Sequence, residues 1–170
     1  MNRVYMLALM AIALPSLTVF SPPRGTLAAQ QAARAVEIDL PEVVAEVKAA
    51  YDRYNEAVNS NNVAVLDATF RNDPRTIRYG NAENLYGYKE IEAYRASVRP
   101  AAGGPPRTLS KTVITTYGRD FAVASTLTHR ANAPGKVGRQ MQTWVRFPDG
   151  WRVVAAHVST IDVPPADRPQ

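Results

Sequence analysis

A chain of 170 residues with 46% hydrophobic content can bury the core of one ordinary domain with residues to spare. The formal charge is +5, but Arg3, Arg24 and Arg34 sit in an acid-free leader; the remainder is nearly balanced, without a basic run or an aromatic-basic strand, which argues against nucleic acid as a partner. Cysteine is absent, which excludes disulfide frameworks, thiol nucleophiles and cysteine-ligated metals, and two histidines, His129 and His157, without His-x-x-x-His spacing indicate neither a metal site nor a cofactor.

The chain opens with Arg3, an apolar run from Val4 to Phe20, and then Ser21, Pro22, Pro23, Arg24 and Gly25 ahead of Ala28 and Ala29. Charged, apolar and small residues in that order are the plan of a secretory signal peptide. Pro15 and a run shorter than the roughly 20 residues of a membrane span argue against a transmembrane helix. Residues 1–29 are read as a signal peptide or an N-terminal extension. A true signal, cleaved after Ala28 or Ala29, makes the mature protein periplasmic or secreted and free of the membrane; a misassigned start leaves it cytoplasmic. Residues 30–38 read as linker, residues 39–161 as the domain and residues 162–170, with three prolines, as a flexible tail.

Asp39, Pro41 and Glu42 are helix-start residues, and Val43, Val47, Ala50, Tyr51, Tyr54, Ala57 and Val58 recur at three and four, which predicts an amphipathic helix ended by Ser60-Asn61-Asn62. Asn62 can cap a shorter helix to about Phe70. Asp73-Pro74 turns the chain into a short strand, Thr76 to Tyr79, closed by Gly80. A third helix, Tyr88 to Val98, precedes a Pro/Gly-rich loop from Pro100 to Pro106. Strands follow from Thr108 to Tyr117 and from Phe121 to Arg130, with Gly118-Arg119-Asp120 as the turn between them. Helices ahead of an antiparallel sheet mean an α+β fold.

The last two strands, within Arg139 to Ser159, flank Pro148-Asp149-Gly150, a strong hairpin signal. If Asp149-Gly150 is the loop, Gln140 lies opposite Ser159, Gln142 opposite His157 and Trp144 opposite Ala155. One face is then polar and aromatic, and the other carries Met141, Val145, Val154, Ala156 and Val158. That apolar face predicts a homodimer. A three-residue loop with a bulge would instead set Val158 opposite Gln142 and turn His157 to the far side.

Taken singly, these residues have plain structural readings. Tyr54 on a buried stripe reads as core packing, Arg78 on a short strand equally as a solvated charge or a buried anion clamp, Gln140 and Gln142 as solvent-facing or, with Trp144 beside them, as a pocket wall, and His157 as a satisfied structural histidine.

Four blocks, Asp73 to Gly80, Glu83 to Gly87, Thr115 to Phe121 and the hairpin, resemble in order and spacing the AtzH-like family, which includes the oxalurate catabolism protein HpxZ. That family lies within the nuclear transport factor 2-like (SnoaL-like) superfamily. The resemblance covers about Asp39 to Ile161 and implies a conical α+β fold, with three N-terminal helices on a curved, mostly antiparallel sheet. It implies a small-molecule role in nitrogen catabolism beside an amidase, with one branch converting dicarboxyurea to allophanate. The leader departs from the cytoplasmic members of that family. Carried over residue by residue, the resemblance places Tyr54 and Arg78 as the pair that meet inside the cone and act on a small anionic substrate. Gln140, Gln142 and Trp144 become the sheet wall, and His157 and Ser159 its neighbours. The other reading of the same fold is a non-catalytic binding or oligomerisation module.

Overall fold

The computed structural model describes residues 36–98 and 105–163. The expected signal segment, the first part of the linker, most of the Pro/Gly-rich loop and the tail after Val163 lie outside the described residues.

Apolar residues spaced by three and four close into helix α1, Pro41–Asn59, with proline at its first turn, where no N–H is needed, and Glu42 near the positive end of the helix dipole. Its buried stripe is Val43, Val47, Ala50, Tyr51, Tyr54, Asn55 and Ala57, so the expected apolar face contains one amide. Leu40 takes the N-cap position without a side-chain bond. Asp39 turns away instead: at φ 57° its N–H donates to the Thr116 carbonyl (3.1 Å) and its Oδ1 accepts the Thr116 N–H (2.8 Å). Helix α2, Val63–Thr69, is capped as its sequence predicts, the Asn62 side chain accepting the Val65 N–H at 3.2 Å.

Strand β1, Ile77–Tyr79, is followed by β2, Asn84–Tyr86, which the sequence reading left out, and by helix α3, Tyr88–Val98. Gly87 makes the β2-to-α3 turn at φ 90°, where a side chain would also press on the Pro74 backbone. Four longer strands complete the fold: β3, Thr108–Tyr117; β4, Phe121–His129; β5, Lys136–Phe147; and β6, Gly150–Asp162. The sheet order is β2-β1-β6-β5-β4-β3. Among the described strand pairings only β1–β6 is parallel, and Phe70 adds an isolated parallel bridge to Val153; β1 returns from the helical segment to add to the free edge of β6.

Phe147 pairs with Gly150, so the hairpin loop is Pro148-Asp149 and not Asp149-Gly150. A one-residue bulge at Val154 then shifts β6: Trp144 pairs with Val153, but Thr143 pairs with Ala155, Gln142 with Ala156 and Gln140 with Val158. Because side chains alternate, one extra residue turns the rest of the strand over. Ala156 and Val158 therefore face the helices, and His157 and Ser159 face away. This corrects the predicted pairings of Gln140, Gln142 and Trp144. His157 does turn to the far side as in the bulged alternative, although in a different register. A second bulge on β3, between Ser110 and Val113, has Lys111 at φ 50°.

The helix-covered face carries fully buried Trp144, Val153, Ala122 and Ala124, which meet Tyr51, Val43, Val47 and Leu66 from the helices. The Tyr51 ring stands edge-on to Trp144 with centroids 6.5 Å apart.

Candidate functional site

Gln140, Gln142 and Trp144 alternate along β5 and all point under the helices, as expected, with 2%, 1% and 0% of their surface exposed. Interior positions on a strand normally carry apolar groups, because an amide taken from water without a partner costs about 1–3 kcal/mol. Here both amide atoms of Gln142, the Gln140 Nε2 and the Trp144 Nε1 are buried and have no hydrogen-bond partner, and the same holds for the Tyr51 hydroxyl and the Nε of Arg107. Burial pushes the Tyr51 phenol above its ordinary pKa, which keeps it a hydrogen-bond donor. Small side chains flank Gln142 across the sheet, where it lies between Ala124 and Ala156, while Gln140 lies between Thr126 and Val158.

Arg107 is the residue that sequence reasoning missed. It stands just before β3, is 91% buried, and its Nη1 donates to Gln140 Oε1 at 3.0 Å while Nη2 donates to Asn55 Oδ1. Its Cζ lies 5.9 Å over the Tyr54 ring. Asn59 holds its backbone at two points, the Arg107 N–H donating to Asn59 Oδ1 (3.1 Å) and the Asn59 amide donating to the Arg107 carbonyl (3.2 Å). Burial lowers the pKa of the guanidinium, and no described carboxylate forms an ion pair with it. The β3 bulge explains why no pattern revealed it. Alternation counted back from buried Thr116 puts Arg107 on the outer face, and the extra residue in the bulge brings it inside.

Tyr54 is buried, packs against Phe70 with centroids 6.4 Å apart, and has the Arg107 guanidinium over its ring. Arg78 roots on the same face, in the cross-strand row Arg78, Ala156, Gln142. Its guanidinium, however, is engaged by Glu83 in an ion pair and lies 5.5 Å over the Tyr94 ring. Burial raises the Glu83 carboxyl pKa, but the Arg78 hydrogen bond, the Ala82 N–H and the Arg78 charge outweigh it and leave the group below the usual range. Gly80 makes room for this pair, since a Cβ there would occupy the position of the Glu83 carboxylate. The guanidinium that meets Tyr54 is thus that of Arg107.

His157 and Ser159 are not brought to this cluster. His157 is exposed and edge-on to Tyr79 at 6.3 Å, and Ser159 accepts from Arg139 Nε at 3.1 Å. Together with Lys111 and Met141 they line a groove of about 430 Å³ on the outer face. Among the described residues no group of histidine and carboxylate side chains could hold a metal ion, and no helix is long and apolar enough to cross a membrane.

A protein of unknown function from Pectobacterium atrosepticum is 54% identical to this chain, with 74% of this chain and 95% of that one covered and a TM-score of 0.70. A cystatin-like fold protein from Burkholderia xenovorans is 43% identical over 76% of this chain and 99% of its own, at a TM-score of 0.69. An NTF2-like protein of unknown function from Pseudomonas putida, 15% identical over 76% of this chain and 94% of its own with a TM-score of 0.61, shares the fold alone. No curated protein matches the chain. The model of the AtzH-like family matches residues 36–164. That match spans more than half of the chain and includes the four sequence blocks, so the chain belongs to the AtzH-like family.

Proposed function

We propose that this protein is an enzyme acting on a small carboxylated urea or amide, of the dicarboxyurea-to-allophanate type associated with oxalurate catabolism. The observation that carries this reading is the set of buried, unpartnered polar atoms on Gln140, Gln142, Trp144, Tyr51 and Arg107. A fold retains such atoms at a cost to its stability, and a ligand with planar donors and acceptors would satisfy them. A urea presents a carbonyl acceptor and N–H donors in one plane, which is the complement of the two free atoms of the Gln142 amide.

In this reading Tyr54 is the acid and Arg78 the electrostatic partner. Cleavage of an N–carboxylate bond releases carbon dioxide, and the electron pair left on nitrogen takes the Tyr54 proton; solvent then returns a proton to the phenolate. Arg78, held by Glu83, stabilises the carboxylate during the cleavage. Mass-spectrometric assay with dicarboxyurea and oxalurate tests the proposal. Tyr54→Phe should remain folded and bind but lose turnover by about 10²-fold or more, and Arg78→Ala should lose binding as well.

A non-catalytic binding module of the same fold is the second reading. It is favoured by one observation: the Arg78 guanidinium already has Glu83 and Tyr94 as partners. Folded Tyr54→Phe and Arg78→Ala variants that both turn over substrate at the wild-type rate would remove the assigned acid and electrostatic partner, whereas wild-type binding without turnover would leave the binding reading.

A further inference from the structure

Three arginines reach inward from different elements, and they differ in one respect. Arg95 on α3 donates to Asp67 Oδ1 at 2.8 Å and to the Leu66 carbonyl at 2.9 Å, and lies 4.3 Å over Phe70; it is a structural clamp with its own counter-charge. Arg78 has Glu83. Arg107 has two neutral amide oxygens and no described carboxylate. Neutral acceptors solvate a charge but do not cancel it, so a buried guanidinium held this way attracts an anion from solution.

The surroundings hold Arg107 ready for such a ligand. Asn55 and Asn59, one turn apart on α1, grip its guanidinium and its backbone respectively. Asn55 cannot swing away, because its Nδ2 donates to the Tyr51 carbonyl at 2.8 Å, and this also fixes its oxygen toward Arg107. Gln140 gives its oxygen to Arg107, which leaves the Nε2 of the same amide as one free donor, and the Nε of the guanidinium is a second. Two free donors next to an uncompensated positive charge match one carboxylate, and Gln142, two residues along the strand with both amide atoms free, matches the amide or urea attached to it.

We infer that Arg107, with the Gln140 amide, is the carboxylate anchor of this site and sets its preference for anionic over neutral ureas, while Gln142 reads the urea plane. The inference rests on the carboxylated-urea reading for the class of ligand but not on turnover. A dicarboxylated ligand would then lie between Arg107 and Arg78, which enter the same face from opposite ends of the strand order.

The test is calorimetric titration of the full chain with oxalurate and with its uncharged amide, oxaluramide. The wild type should prefer oxalurate by roughly ten-fold or more, and Arg107→Gln should bind the two alike. Arg107→Lys keeps the charge but not the planar fork; it carries the test if the Gln variant does not fold, and should bind oxalurate several-fold less tightly with oxaluramide unchanged. An intact preference in folded Arg107→Gln, or wild-type oxalurate binding by the Lys variant, overturns the anchor even if dicarboxyurea is turned over. Loss of the preference without any wild-type turnover supports the anchor and removes only the catalytic reading. If the wild type binds neither compound at millimolar concentration, both fall.

Discussion

Gln142 shows in one side chain how this site is held against the stability of the fold. Its amide is buried between two alanines with neither atom paired, in a position where an apolar chain of equal length would suffice. Gln142→Met is therefore expected to raise stability by about 1–2 kcal/mol, read from urea unfolding, and to lower ligand affinity at least roughly ten-fold. Glu83 gives a pH-dependent counterpart. Because its folded pKa lies below the unfolded value of about 4.3, the unfolded chain binds the extra proton between the two values, and stability rises with pH there. Its contribution is fully present above the unfolded value and is lost as pH falls through the folded one. Glu83→Gln should cost stability at neutral pH, and the gap to the wild type should shrink below about pH 4 in denaturant titrations at stepped pH.

At the level of elements, two one-residue insertions decide which side chains share a face. Without the Val154 bulge, His157 would stand opposite Gln140 and Ser159 opposite Gly138 on the inner face; without the Lys111 bulge, Arg107 would point outward. Lys111 occupies a left-handed backbone conformation at φ 50°, which glycine adopts at no steric cost and a β-branched residue resists. Lys111→Gly should therefore leave stability unchanged or raise it by up to about 1 kcal/mol and keep oxalurate binding. Lys111→Val is expected to lower the melting temperature and to weaken oxalurate binding more than oxaluramide binding, since it strains the turn that directs Arg107.

For the sheet as a whole, the face away from the helices carries exposed Val113 (56%), Met141 (57%) and Phe121 (40%) in neighbouring strands. Exposed apolar side chains on one sheet face are a surface that a second copy can cover. We propose a homodimer through this face, as the alternation of β5 already suggested, although Ala156 and Val158 have no part in it. The groove lined by His157, Arg139 and Met141 belongs to the same surface. Light scattering should give a dimer at micromolar concentration, and Met141→Glu should shift it to monomer while leaving the fold and the inner cluster intact.

Within the described residues, the sequence by itself determined what depends on local chemistry and period: α1 from its three-and-four spacing, the Asn62 cap, the limits of α3 and β3, and the inward face shared by Gln140, Gln142 and Trp144. Its four blocks also determined the family. Tertiary structure decided the rest. The three residues of β2 gain their strand character from pairing with β1, and the parallel docking of β1 on β6 is invisible to any local pattern. Bulges carry no hydrophobic signature, yet each inverts a strand, so the inward turn of Arg107 and the outward turn of His157 were legible only in the paired sheet. Asn55 and Asn59 look like polar positions on an amphipathic helix until the packed fold brings Arg107 against both, with no ion pair to any described carboxylate, and that lack of a described counter-charge is a property of the assembled interior alone.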